Sequence, residues 1–494
     1  MKKFITLFLA LGALSSSVFL SACTKKCPLA KDNIPGTSTF RSDCATDDVG
    51  ASGKKELNFY FVYDNTDAFQ EQIQAFQSQY PDIKINTKKF VDLKEYEDEI
   101  VNEIAEGNGP DVMMMQNSWL SKHSKKLLPM PLDLPIAMNA DIFRQTFFQA
   151  AQDDLIIDNQ VYGMPMSIDN LAVYYNKALL KDLLVNDDRP AELWEKIKDQ
   201  VFTLTKRNNS PERFSLAGIA MGRSDNISSA VDILYALMIQ EGVQWYDAAS
   251  TMATFGGQTG TSRATGTYPG AEALKLFTSF ALPAYKNYSW NDTITGRAPA
   301  DKEVNPFITG KVAMIIGYPY LYDILVQKIQ DQQRVGGVHV DVKDIDVAPM
   351  PQLVQPDQTG KRDTLASYFP LVVSRNTKHP KEAWQFVQFM TTADSLQTYY
   401  KKTHRPTSRK DMVDEQRTQP LFGVFATQSS YAKSFPIYDA RAYDSIFSVA
   451  IDQVVRNVLM PSEAIREAQD RVSCVIKRQK GLIDPSQNCL NFQG

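Results

Sequence analysis

The chain has 494 residues, 43% of them hydrophobic and 22% charged, with a formal net charge of −4. That mild acidity argues against a nucleic-acid partner, which would require a basic face, and the length and apolar content suffice for two cores.

Met1-Lys2-Lys3 is a short positive region, and Phe4 to Leu20 is apolar and uncharged. Leu20-Ser21-Ala22-Cys23 closes it in the pattern of a lipoprotein signal. An uncleaved anchor is the alternative, because about 17 apolar residues are marginal for crossing a bilayer. The four-residue box ending in Cys favours cleavage before Cys23 and acylation of its thiol, which would tether the protein outside the cytoplasmic membrane. Loss of Lys2 and Lys3 with residues 1–22 takes the net charge of −4 to −6. Residues 23–55 are polar and rich in Ser, Thr, Asp, Gly and Lys, as expected of a flexible tether.

Cys23 apart, Cys27, Cys44, Cys474 and Cys489 remain, an even number suited to an oxidising compartment. Of the three possible connectivities, their bunching at the two ends favours Cys27–Cys44 and Cys474–Cys489. Metal ligation competes, but no His flanks them.

From residue 57 the chain reads β-α-β-α-β. The alternating Leu57–Tyr63 is a strand, Asp64-Asn65-Thr66 caps a helix through Tyr80, and Ile83–Thr87 is a strand. Leu93–Ala105 is a helix stopped at Gly107-Asn-Gly-Pro110, and Asp111–Met115 is a third strand. This alternation predicts a parallel sheet with right-handed crossovers, whose ligands sit beyond the carboxyl ends of the strands. Tyr63, Asp64 and Asn65 after the first strand, and Asn117, Ser118 and Trp119 after the third, are thereby aimed at one cleft rim. Asp64 as a helix cap and Trp119 as core packing are the competing roles.

Next comes Val161-Tyr-Gly-Met-Pro165, then the polar patch Ser167-Ile-Asp-Asn170, then the apolar run Leu171–Tyr175, capped into a helix by Asn176. The run suits a strand buried on both faces, and the polar patch with Asp169 and Asn170 reads as a crossing between two bodies. Helices are predicted over 178–184, 192–207 and about 226–241, with a strand at 214–220. Residues 247–269 read as a loop or hairpin, and 270–282 as a helix. Further on come a strand at 312–316, a helix at 321–333, a strand-like run at 365–374, a helix from Pro380 with Ala383, Phe386, Val387 and Met390 inward, and a helical tail over 447–478.

Several of these stretches resemble family 1 extracellular solute-binding proteins, the maltose-binding-protein-like receptors of ABC importers. The matching pieces are Tyr162-Gly-x-Pro165 with Tyr175-Asn-Lys177, Gly107-Asn-Gly-Pro-Asp-Val112, Phe307-Ile-Thr-Gly-Lys-Val-Ala-Met314 with the tyrosines at 318 and 320, Ala348-Pro-Met-Pro351, and Ser374 to Trp384. They keep the family's order over roughly 55–480. The "T-W" helix is matched loosely, with Trp194 one place late, and the cysteine-bearing ends lie outside the pattern.

The resemblance implies a type II periplasmic-binding-protein-like α/β fold, two lobes joined by a hinge with the ligand cleft between them. The expected lobes are 56–165 with 311–365, and 166–310 with 366–494. It implies aromatic rings stacked on sugar faces and planar polar groups on the hydroxyls, so the expected ligand set is Tyr63, Asp64, Asn65, Asn117, Trp119, Asp169, Asn170, Trp290, Tyr318, Tyr320, Tyr368 and Arg405. It further implies hinge closure over a carbohydrate, docking on a permease with a cytoplasmic ATPase, a monomer, and no cofactor or metal. Family members also bind polyamines, metal ions and sugar phosphates.

Catalytic patterns are weak. His123, His339, His379 and His404 lack the H-E-x-x-H spacing, there is no G-x-S-x-G elbow, and Thr309-Gly-Lys311 lacks the upstream glycine of a phosphate loop. A secreted glycoside hydrolase and a lipid-anchored adhesin are the rival readings.

Overall fold

The computed structural model describes residues 54–490 apart from 135–137, 185–186, 209, 211–212, 296–301 and 356–360. The expected signal peptide, Cys23 lipidation and Cys27–Cys44 pair fall outside the described residues, as does nearly all of the tether.

In chain order the strands are β1 (Lys55–Val62), β2 (Ile83–Phe90), β3 (Val112–Met114), β4 (Ile156–Ile157), β5 (Gln160–Val161), β6 (Met164–Pro165) and β7 (Ala172–Asn176). There follow β8 (Lys206–Arg207), β9 (Phe214–Ile219), β10 (Val312–Gly317), β11 (Ile345–Pro349), β12 (Thr364–Leu365), β13 (Pro370–Val373) and β14 (Ala432–Lys433). Two five-stranded sheets result, ordered β2-β1-β3-β13-β6 and β11-β7-β10-β9-β8.

The first sheet follows from alternation. β1 turns Leu57, Phe59 and Phe61 inward, and β2 pairs with it in parallel from Lys55–Ile83 to Val62–Phe90. Helices Asp67–Gln79 and Leu93–Glu106 cross over as expected. Asp92 starts the second by accepting from the Glu95 amide at 2.7 Å, and Gly107 ends it at φ +81°, a left-handed conformation glycine adopts without steric cost. β13 returns antiparallel between β3 and β6. There Gly163 is required: a Cβ would stand 2.9 Å from Val372 Cγ1 and 3.1 Å from the Leu371 carbonyl oxygen.

The second sheet has β7 at its heart. All five of its residues are buried, with β10 and β11 antiparallel on either side and β9 parallel to β10. Asn176 caps the next helix by accepting from the Leu179 amide at 3.2 Å.

The expected lobe boundaries are corrected by this pairing. Residues 311–365 belong to the second lobe, because β10 and β11 both pair with β7 and their side chains join its core. Conversely β13 and the helices Pro380–Met390 and Ala393–Thr403 belong to the first, with Trp384, Phe386 and Tyr399 packed into its core. Adjacent residues divide between the cores: Ile168 and Ala366 lie in the first, Leu171 and Leu365 in the second. The chain returns to the second lobe between Met412 and Phe425, and helices Ala440–Val455 and Pro461–Gln479 complete that core. The crossings therefore lie at 168–171, 365–366 and 412–425.

Two local differences accompany this. The Gly- and Thr-rich 247–269 stretch contains a helix, Gly260–Thr265, started by a reciprocal Thr259–Ser262 capping box. The run 365–374 is broken at the crossing into β12 and β13. The expected Cys474–Cys489 disulfide is present, tying the last helix to the tail.

Candidate functional site

The cleft floor is organised around Arg405, just past the helix Ala393–Thr403. Its guanidinium donates Nη2 to Asp64 Oδ1 at 2.9 Å and Nη1 to Asp169 Oδ2. Asp64 follows β1, and its second oxygen accepts from the Tyr399 hydroxyl at 2.7 Å. Asp169 lies in the first crossing, and its Oδ1 has no hydrogen-bond partner among the described residues. All three side chains are buried. Burial works against the charge of Arg405, but the two carboxylates hold its pKa well above the usual value. Asp169 is pushed up, chiefly by burial and further by Asp64, with Arg405 opposing.

Above this floor two cavities adjoin at Tyr63, which lines both. Tyr63 ends β1 at φ +68°, an uncommon conformation for a residue with a Cβ, and its ring stands 48% exposed. One cavity, about 520 Å³, runs past Asp64, Asn65, Tyr320, Asp323 and Arg405. The other, about 420 Å³, is walled on the first-lobe side by Ser118, Trp119 and the start of helix Leu93–Glu106, and on the second-lobe side by Asp232, Tyr235, Ile437 and Asp444. Both lie in the usual size range of small-molecule sites.

The second lobe contributes a tyrosine pair. Tyr318 and Tyr320, just past β10, stack at 5.8 Å between centroids, and the Arg405 guanidinium sits 5.8 Å over the Tyr320 ring. The Tyr318 hydroxyl donates to Asp232 Oδ2 at 2.8 Å. Burial and the neighbouring Asp444 push Asp232 up to about 6, against that hydrogen bond. Three buried polar atoms around the smaller cavity, Ser118 Oγ, Trp119 Nε1 and Tyr235 Oη, have no partner among the described residues. Buried donors and acceptors left open at a cavity wall are what a polar ligand satisfies.

On the rim, Arg441 of helix Ala440–Val455 reaches the first lobe. It donates to the Lys94 carbonyl at 2.9 Å and Asp98 Oδ1 at 2.9 Å, and stands 3.2 Å from Glu97. Burial raises Glu97, but bonds from His123 and Lys122 win and hold it down to about 2. The pKa of His123 is itself lowered, chiefly by burial, and its Nε2 faces Glu97 and its Nδ1 the Lys126 ammonium.

Of the residues expected from sequence, Tyr63, Asp64, Asn65, Trp119, Tyr318, Tyr320 and Arg405 line these cavities or the side chamber beneath Tyr318. The other five have partners within the protein. Trp290 is fully buried and donates its Nε1 to Asn226 Oδ1 at 2.8 Å. Asn170 is fully buried, donates to the Ile168 and Phe425 carbonyls and accepts from Gln428, which staples the crossing to helix Gly423–Ser429. Asp169 is held by Arg405. Asn117 and Tyr368 both donate to Asp154, at 2.9 and 2.8 Å, beside the crossings. Sequence reasoning missed Asp232, Tyr235, Arg441 and Asp444. Asp232 and Tyr235 follow β9 on the helix Ala230–Gln240, so the strand-end rule that nominated Asp64 could have found them; the tail residues carry no such signal.

The model of the family described as bacterial extracellular solute-binding protein matches residues 64–397. A putative binding protein of Brucella abortus is 21% identical over 421 residues, covering 83% of this chain and 90% of that protein. Among solved structures, the sugar-binding protein MalE of Xanthomonas citri superposes with a TM-score of 0.67 at 15% identity, over 88% of this chain and all of that one. The cyclic α-maltosyl-1,6-maltose binding protein of Arthrobacter globiformis gives 0.66 at 16% identity, over 86% and 100%. At these identities the superpositions establish the two-lobed fold. With a family model matching residues 64–397, well over half of the chain, this protein belongs to the bacterial extracellular solute-binding proteins.

Proposed function

We propose that the protein captures a carbohydrate, a mono- or oligosaccharide, in the cleft between its lobes and delivers it as a monomer to the permease of an ABC importer. Acylation of Cys23 holds it on the outer side of the cytoplasmic membrane in this reading. The observation that carries the proposal is the wall chemistry: the rings of Tyr63, Trp119, Tyr235 and Tyr320 stand beside Asp232 and the open polar atoms of Ser118, Trp119 and Tyr235. Aromatic faces match the apolar C–H faces of sugar rings, and the polar atoms match their hydroxyls. The sugar-binding proteins that share the fold support the same class. The cleft is assigned capture rather than turnover.

Thermal shift with the mature chain against mono- and oligosaccharides tests it. A ligand that binds only the folded form adds about 2.7 kcal/mol of stability at a hundredfold excess over Kd. The expected result is a sugar-dependent shift that Trp119→Ala weakens at least tenfold in Kd, about 1.4 kcal/mol. Absence of a shift with every carbohydrate at millimolar concentration refutes the proposal.

A further inference from the structure

The charges around the smaller cavity are unevenly distributed. On the first-lobe side and rim, Asp92 caps its helix, and Glu97 is shared by Lys122, His123 and Arg441, while Lys94 is exposed at the mouth. On the second-lobe wall stand Asp232 and Asp444, and among the described residues neither is ion-paired. They are close enough to interact: Asp444 helps push Asp232 up, and both act on the Tyr235 hydroxyl. Lys302 is the cation that offsets Asp444, and it is not among the cavity's lining residues.

Like charges in a partly dry cavity raise one another's energy, and a neutral hydroxyl ligand relieves none of it. A protonated amine does. An ammonium has three donors and no acceptor, and this wall offers three acceptors: the two carboxylates and the partnerless Tyr235 oxygen, nine-tenths or more buried. Trp119 Nε1 is a donor only, equally buried and open, so it suits an oxygen on the same ligand rather than the amine.

Resting on the carbohydrate reading above, we propose that the ligand is an amino sugar, its ammonium held on the second-lobe wall by Asp232, Asp444 and the Tyr235 hydroxyl, with Trp119 donating to a ring or hydroxyl oxygen.

Isothermal titration of the full mature chain at pH 7 separates the possibilities, with glucosamine oligomers, N-acetylglucosamine oligomers of the same length, maltotriose and spermidine as probes. Binding of the free-amine oligomer at least tenfold tighter than its acetylated twin supports the proposal, provided Asp232→Asn and, separately, the exposed Asp444→Asn each bring that ratio towards one. Equal or tighter binding of the acetylated oligomer or of maltotriose overturns the amino-sugar assignment and leaves the carbohydrate reading standing. Binding of spermidine alone overturns the carbohydrate reading and the amino-sugar assignment with it. No binding of any probe at millimolar concentration overturns the amino-sugar assignment, and the thermal-shift screen above then decides the carbohydrate reading separately.

Discussion

Replacing Arg405 with Met keeps the aliphatic bulk of the side chain and removes the charge between Asp64 and Asp169. Both carboxylates have side chains only 5% and 2% exposed, so neither can turn to water. Removing one partner of a buried ion pair costs about 3–5 kcal/mol, because the remaining charge is left uncompensated. The cost is not shared equally. Asp64 keeps the Tyr399 hydroxyl, whereas Asp169 already has one oxygen without a partner. Most of the loss therefore falls on Asp169, and adding Asp169→Asn to Arg405→Met should recover more stability than adding Asp64→Asn. The pH dependence has a definite sign. Without the guanidinium the folded-state pKa of Asp169, already raised, climbs further above its unfolded value near 3.9. The deficit of Arg405→Met is then full at neutral pH and shrinks as pH falls through that raised value, where the carboxyl protonates. At roughly 2–4 °C per kcal/mol for a core of this size, the midpoint should drop by about 6–20 °C at pH 7. Calorimetry of the four proteins at pH 7 and pH 4.5 measures all of this. A loss below about 1 kcal/mol at pH 7, or a deficit that does not narrow on acidification, refutes the account of the floor as a mutually dependent charge triad.

Arg441 joins the second lobe to helix Leu93–Glu106 of the first, but its side chain is 41% exposed, so each pair is worth no more than about 0.2–1 kcal/mol. Arg441→Ala should leave the melting temperature nearly unchanged while enlarging the radius of gyration of the unliganded protein in X-ray scattering; an unchanged radius would rule out a role in holding the lobes together. Asp154 is pushed up to about 6 by burial, against hydrogen bonds from Asn117, Ser434 and Tyr368 and with Asp153 adding to the rise. Because the folded value lies above the unfolded one, its contribution to stability is full below pH 4 and is lost as pH rises through 6, about 3 kcal/mol at most. Urea titrations between pH 4.5 and 7.5 should show a shallower decline for Asp154→Asn than for the native chain, and equal slopes would contradict the assignment.

The elements were legible because local pattern determines them. β1 and β2 alternate, β7 and β10 are apolar runs too short for helices, and the inner face Ala383, Phe386, Val387 and Met390 shows a helical period. Which sheet a strand joins is not a local property. β10 and β13 read alike, yet one pairs with β7 and the other with β3, over separations of more than a hundred residues. The exchange of 311–365 with the segment beginning at 366 in the expected lobes is the consequence. The missed helix Gly260–Thr265 has a different cause. Its apolar content is low, so periodicity says nothing there, and only the Thr259–Ser262 cap marked it.

The site was half legible for a physical reason that the floor makes plain. Sequence reading favours polar residues at strand ends and crossings, because polar groups there must have a purpose. In this fold the purpose of most of them is internal. Arg405 bonds both Asp64 and Asp169, leaving only Asp169 Oδ1 open among the described residues, Asn170 is engaged with Gln428 and backbone carbonyls, and Asn117 and Tyr368 are engaged with Asp154. A group whose bonds are complete gains nothing from a ligand, and breaking them costs about what the ligand would return. On the proposed reading, discrimination between ligands comes from groups on the cavity walls that are left open among the described residues: Ser118, Trp119 and Tyr235 without partners, Asp232 and Asp444 without counter-ions. Tyr235 and Asp232 sit on a helix so apolar that its sequence announces only a core. On the proposed reading the residues that choose the ligand are thus set among those that build the lobe, and charge balance, rather than residue type, is what separates them.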